Sequence, residues 1–148
     1  MYIERYIAHS QQAEENLSKA LENIVKKHEF EADVVEMCER FKKWSEGHIK
    51  SLLEVTTDLG HEKRQEGLED ILADGNESPY DLLWDLHTLS LLMQDAYMSW
   101  NILGQAAKSL RDERLDKVCK DAVTHLEKEV LWVMTRAKNA AAQVFVVS

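Results

Sequence analysis

The 148-residue chain reads as an all-α protein, an up-down bundle of four helices in one domain. Three observations predict this. Turn formers are scarce, with five glycines and one proline. Apolar residues recur at alternating steps of three and four through four long stretches, the spacing of one helix face. Two short links and one long connection separate those stretches, and their lengths set how the helices pair.

The first helix is expected over about 2–27. Its seam runs Ile3, Ile7, Ser10, Glu14, Leu17, Leu21, Ile24, with two polar residues in the middle of an apolar row. A short break near Lys27-His28-Glu29 leads to a second helix over about 31–59, closed by Gly60. Its seam is Phe30, Val34, Met37, Phe41, Trp44, His48, Leu52, Val55 and Leu59. The short break makes these two helices an antiparallel hairpin. Residues 60–78 form the long connection, which carries a weak amphipathic turn at Leu68, Ile71 and Leu72. At up to ~3.3 Å per residue it can travel the length of the bundle. The second and third helices are therefore expected to be parallel, joined by a crossover.

Ser78-Pro79-Tyr80-Asp81 opens the third helix with a hydroxyl cap, a proline at the first helical position and an acid in the first turn. The seam Leu82, Leu86, Leu89, Met93, Ala96, Trp100, Leu103, Ala107, Leu110 carries it over about 79–110. At ~1.5 Å per residue it spans roughly 48 Å, so it needs equally long partners. A tight link at Arg111-Asp112 leads to the fourth helix, about 113–142, with its face on Leu115, Cys119, Ala122, Leu126, Val130, Val133 and Ala137. The apolar, β-branched tail Val144–Val147 is expected to dock on the bundle or on a second chain.

Composition excludes several classes of function. A net charge of -9 argues against a nucleic-acid groove or an anionic membrane surface. No apolar run approaches the ~20 residues of a membrane span, and the N-terminal stretch has acids and no secretory apolar core. A cytoplasmic chain is expected. Cys38 and Cys119 lie on different helices with no paired spacing, and read as buried thiols. There is no Ser/His/Asp arrangement with positional support and no glycine-rich phosphate loop. His9, His28, His61 and His87 read as surface histidines, and Trp44, Trp100 and Trp132 as core.

Depth along the helices singles out one polar layer. Glu14 lies twelve residues into the first helix, His48 eleven from the end of the second, and His125 twelve into the fourth. The matching level of the third helix holds Ala96, Tyr97 and Trp100. One slice can thus contain Glu14, His48, His125 and Tyr97, with Glu129 on the edge of the fourth seam.

A hairpin, a long crossover and a second hairpin resemble the ferritin-like superfamily. In its metal-binding members the first and third helices each give a glutamate, and the second and fourth each give Glu-x-x-His. Glu14 matches the first acid. His48 and His125 match the two histidines, but Ser45 and Ala122 stand where their acids would be. The third helix offers Leu89, Met93 and Ala96 in place of the other acid, so the bridging carboxylates of a two-iron site are missing. Trp44-Ser45-Glu46-Gly47-His48, Leu86-His87, Trp100 to Ala107 and Leu110-Arg111-Asp112 are also similar to uncharacterised bacterial ferritin-like proteins, a similarity that carries no activity.

Three functional readings follow. The first is a non-catalytic or vestigial member, an interaction or oligomerisation module expected to form a homodimer through Trp84 and the Val144–Val147 tail. In it, Glu14 and His48 share a buried hydrogen bond that fixes helix register. The second is one Fe or Zn ion held by Glu14, His48 and either His125 or Glu129, with an open position for redox or hydrolytic chemistry. There, Glu129 could instead support His125 from the same helix face. The third is a cavity for a small apolar ligand beside Ala96, Gly104, Ala106 and Ala107.

Overall fold

The computed structural model describes residues 2–57 and 79–147. Among these are four helices and no strand: α1 (Ile3–Lys27), α2 (Ala32–Val55), α3 (Pro79–Ser109) and α4 (Glu113–Val147). Among the described residues, no helix is long and apolar enough to cross a membrane.

Several of the visible ends have a local cause. Lys26 and Lys27 occupy the last turn of α1, where positive charge opposes the helix dipole. The His28 N–H closes that turn on the Ile24 carbonyl at 2.9 Å, and the Glu31 N–H bonds to the His28 carbonyl at 3.0 Å. The Thr56 hydroxyl donates back to the Leu52 carbonyl at 2.7 Å where α2 ends. The expected extension to Leu59 and Gly60 lies outside the described residues, as does the Ser78 cap. Between α3 and α4, Arg111 takes the left-handed conformation, φ 56°. That reversal lets the Asp112 N–H reach the Ala107 carbonyl at 2.9 Å, so the last carbonyls of α3 find partners. The Asp112 side chain then accepts the Leu115 N–H at 3.1 Å and caps α4.

α1 packs on α2 and α3, and α4 packs on α3 and α2, which leaves α1 and α4 on one diagonal and α2 and α3 on the other. Paired contacts give the directions. Glu14 meets His48 while Glu22 meets Lys42. His9 meets Asp95 while His28 meets Asp85. His48 meets His125 while Asp33 meets Arg136. In each couple one number rises as the other falls, so these neighbours run antiparallel. Tyr97 against Glu127 and Gly104 against Cys119 give the same sense for α3 and α4.

The core is one continuous apolar column that includes Ile7, Leu17, Leu21, Phe41, Leu86, Met93, Trp100, Leu103 and Leu126. The expected seams of α1 and α3 are buried, except that Leu110 is exposed just past the end of α3. In α2 the buried row is Val34, Cys38, Phe41, Ser45, His48 and Leu52. The helix is turned slightly from the expected face, which leaves Met37 and Trp44 half-buried. Phe30 is 92 % exposed, because it belongs to the link and not to the helix. The tail, expected to dock on the bundle or on a second chain, is not a segment apart from α4. No glycine or proline follows Ala142, so α4 continues to Val147, with Phe145 and Val146 exposed on its last turn. Trp100 is fully buried, Trp132 is half-buried against the same core, and both cysteines are buried free thiols.

Candidate functional site

The expected polar layer forms midway along the bundle. α1 presents Glu14 and α2 presents His48 from facing seams, and His48 Nδ1 lies 2.7 Å from Glu14 Oε2. On its other side, His48 Nε2 lies 2.7 Å from His125 Nδ1. A carboxylate can only accept, so His48 donates from Nδ1. Its Nε2 and His125 Nδ1 share one hydrogen, in a direction set by the protonation of the two rings, and His125 Nε2 is the outer nitrogen of the chain. Burial, and next the neighbouring His48, lower the pKa of His125, consistent with a neutral outer ring. Trp44 stacks flat on His125 with ring centres 4.2 Å apart, while Trp100 and His48 meet T-shaped with ring centres 6.0 Å apart. Aromatic surfaces thus hold both imidazoles in orientation.

Glu129 is wholly buried rather than sitting at the rim of the seam. Burial, reinforced by the charge of Glu14, pushes its carboxyl up to about 9, so it carries a proton at neutral pH. Neither of its oxygens has a hydrogen-bond partner, and neither has Glu14 Oε1. Ser45 Oγ and Trp100 Nε1 are likewise buried without one. A buried polar atom left unpaired costs on the order of 1–3 kcal/mol, so this layer is a locally unstable part of the core. Tyr97 is not part of it: its hydroxyl donates to Glu127 at 3.2 Å on the outer face.

A two-metal centre does not fit, because Ser45, Ala122, Leu89, Met93 and Ala96 supply no bridging carboxylate. Two imidazoles and two carboxyl groups suit a single Zn or Fe ion chemically, and the three orphaned carboxyl oxygens are the kind of atom an ion satisfies. The arrangement itself does not converge. Both nitrogens of His48 are engaged, and among the described residues no three His, Cys, Asp or Glu side chains are placed to hold a metal ion. What the layer provides as it stands is a hydrogen-bonded line from the half-buried His125 to the buried Glu14.

A second polar cluster escapes the sequence reading. His28, expected on the surface, is buried, and its Nε2 lies 2.8 Å from Asp85 Oδ2. Lys27 Nζ reaches the same oxygen at 2.9 Å. The Ser10 and Ser99 hydroxyls also meet in the core, at 2.6 Å. A polar residue inside an apolar seam was the available signal for Ser10, whereas His28 and Asp85 each lie off the seams and carry none. His9 pairs with Asp95 at 3.1 Å, and His87 is exposed. His61 lies outside the described residues. Beside Gly104, where the small-ligand reading needs a cavity, a methyl group would come within 3.3 Å of Cys119 Cβ, so α4 fills that space.

No protein-family model matches the chain, and no curated protein or solved structure is significantly similar to it.

Proposed function

We propose that this chain is a ferritin-like bundle acting as a non-catalytic interaction and oligomerisation module, its polar layer serving to lock helix register. One observation carries the reading. α3 exposes Tyr80, Trp84, Leu91, Met98 and Ile102 in a single row along the outside of the bundle, while the histidines of the polar layer are engaged within that layer. Apolar rows of that length on a surface mark interfaces. The ferritin-like assignment is supported by the antiparallel neighbours with α2 and α3 pointing the same way, which requires a connection as long as residues 56–78. A homodimer in the cytoplasm is the simplest setting for such a module.

The three orphaned oxygens of Glu14 and Glu129 favour a second reading, a single metal ion at Glu14, His48, His125 and Glu129. It requires the His48 and His125 rings to part from their 2.7 Å contact. Sedimentation velocity across micromolar concentrations, with elemental analysis of the same samples, separates the two. The module reading expects self-association that is indifferent to chelator and no stoichiometric metal. A monomeric chain retaining one ion, lost in His48→Ala, would replace it with the metal reading.

A further inference from the structure

We infer that α3 is a self-pairing seam, on which a second copy of this chain lays its own α3 antiparallel across a two-fold axis at Leu91. The inference rests on the oligomerisation reading and names both the partner and the residues that meet. Tyr80, Trp84, His87, Leu91, Asp95, Met98 and Ile102 follow one another in steps of 4, 3, 4, 4, 3 and 4. At ~100° per residue all of them fall within about 40° of Leu91, on one line roughly 33 Å long. The underlying eleven-residue repeat keeps such a line nearly parallel to the helix axis.

The row is matched to itself. A two-fold axis at Leu91 sets Leu91 on Leu91 of the partner subunit and Trp84 opposite Met98 of the partner subunit. Tyr80 comes opposite Ile102 of the partner subunit, and His87 opposite Asp95 of the partner subunit. Every apolar or aromatic residue meets another, and His87 and Asp95 meet each other, twice. A parallel pairing would set aspartate on aspartate, so charge selects the antiparallel sense. Asp95 is half-exposed and accepts from His9 at 3.1 and 3.2 Å, which leaves its carboxylate room for a second donor. Leu91 and Met98, on and beside the axis, are 56 % and 61 % exposed. A row poor in charge is also where two such acidic chains can approach with least repulsion.

The full-length chain provides the test. Cys38 and Cys119 are buried, so Leu91→Cys adds the one readily accessible thiol, on the axis, where it faces its own copy within disulfide reach. Mild oxidation is expected to link Leu91→Cys dimers and to leave Lys50→Cys, on the far helix α2, unlinked. Leu91→Asp is expected to keep its helicity by circular dichroism and to raise the dimer dissociation constant on the order of 100-fold, through two lost apolar anchors and two facing charges. A dimer that persists in Leu91→Asp overturns this seam while leaving the oligomerisation reading standing on another face. A wild-type chain that stays monomeric overturns both, including the case in which residues 58–78 of the same chain cover the row.

Discussion

Replacing Glu129 by glutamine probes the polar layer most directly. The side chain is wholly buried, and its carboxyl is raised from an ordinary 4.5 to about 9. The folded chain therefore holds a proton that the unfolded chain releases. For a group raised in the folded state, the stabilisation is fully present below the unfolded value of 4.5 and is lost as pH climbs towards 9. Each pH unit within that window costs about 1.4 kcal/mol, so the loss is on the order of 3 kcal/mol by pH 7. Glutamine keeps the shape and cannot ionise. The stability gap between Glu129→Gln and wild type should thus open from near zero around pH 5 to on the order of 3 kcal/mol at pH 7, and widen further towards pH 8.5. Urea unfolding followed by far-ultraviolet circular dichroism, in chelator and at constant ionic strength, measures the gap. Parallel pH profiles for the two proteins would refute the reasoning, because they would mean that Glu129 titrates alike in both states. A bound cation would keep Glu129 ionised, so a gap that closes when zinc is added and reopens with chelator would speak for the metal reading.

Two further changes test the packing. Asp85→Ala removes the acceptor shared by Lys27 and His28 and strands a nearly buried imidazole, and urea unfolding should show a loss of about 3 kcal/mol. A loss below ~0.5 kcal/mol would place the cluster among the weak surface pairs. Gly47→Ala has open space around its new methyl and should gain about 1 kcal/mol, whereas Gly104→Ala must push against Cys119 at 3.3 Å and should gain less or lose. Equal gains at both sites in thermal melts would show that α3 and α4 are not in close contact there.

Much of this architecture is legible in the linear pattern, for a physical reason. Helix position follows from apolar spacing, which is local: a residue on the row Leu82, Leu86, Leu89, Met93 has one face to bury wherever its partner comes from. Helix ends are local too when a cap marks them, as Asp112 does for α4. Where no stop residue exists the end is lost, and α4 accordingly continues to Val147. Glu14, His48 and His125 can be placed in one slice from the sequence because helical rise per residue is constant, so counting residues measures height.

Rotation about each axis is different, since it is settled by what the neighbouring helices leave room for. A turn of α2 exchanged Met37 and Trp44 for Cys38 and Ser45 in the core, and Glu129 on α4 moved from the rim to full burial. Tyr97 turned the other way, out to Glu127. Pairings between distant helices, such as His28 with Asp85, have no trace in either stretch alone, because each partner looks like a surface residue until the other arrives. The amino-acid order by itself determined four helices, their lengths to within a turn or two and the height of the polar layer. Only tertiary packing decided which of those polar groups face inward, which of them go unpaired, and which apolar row of α3 is left on the outside: a helix of this composition has more apolar surface than two neighbours can cover.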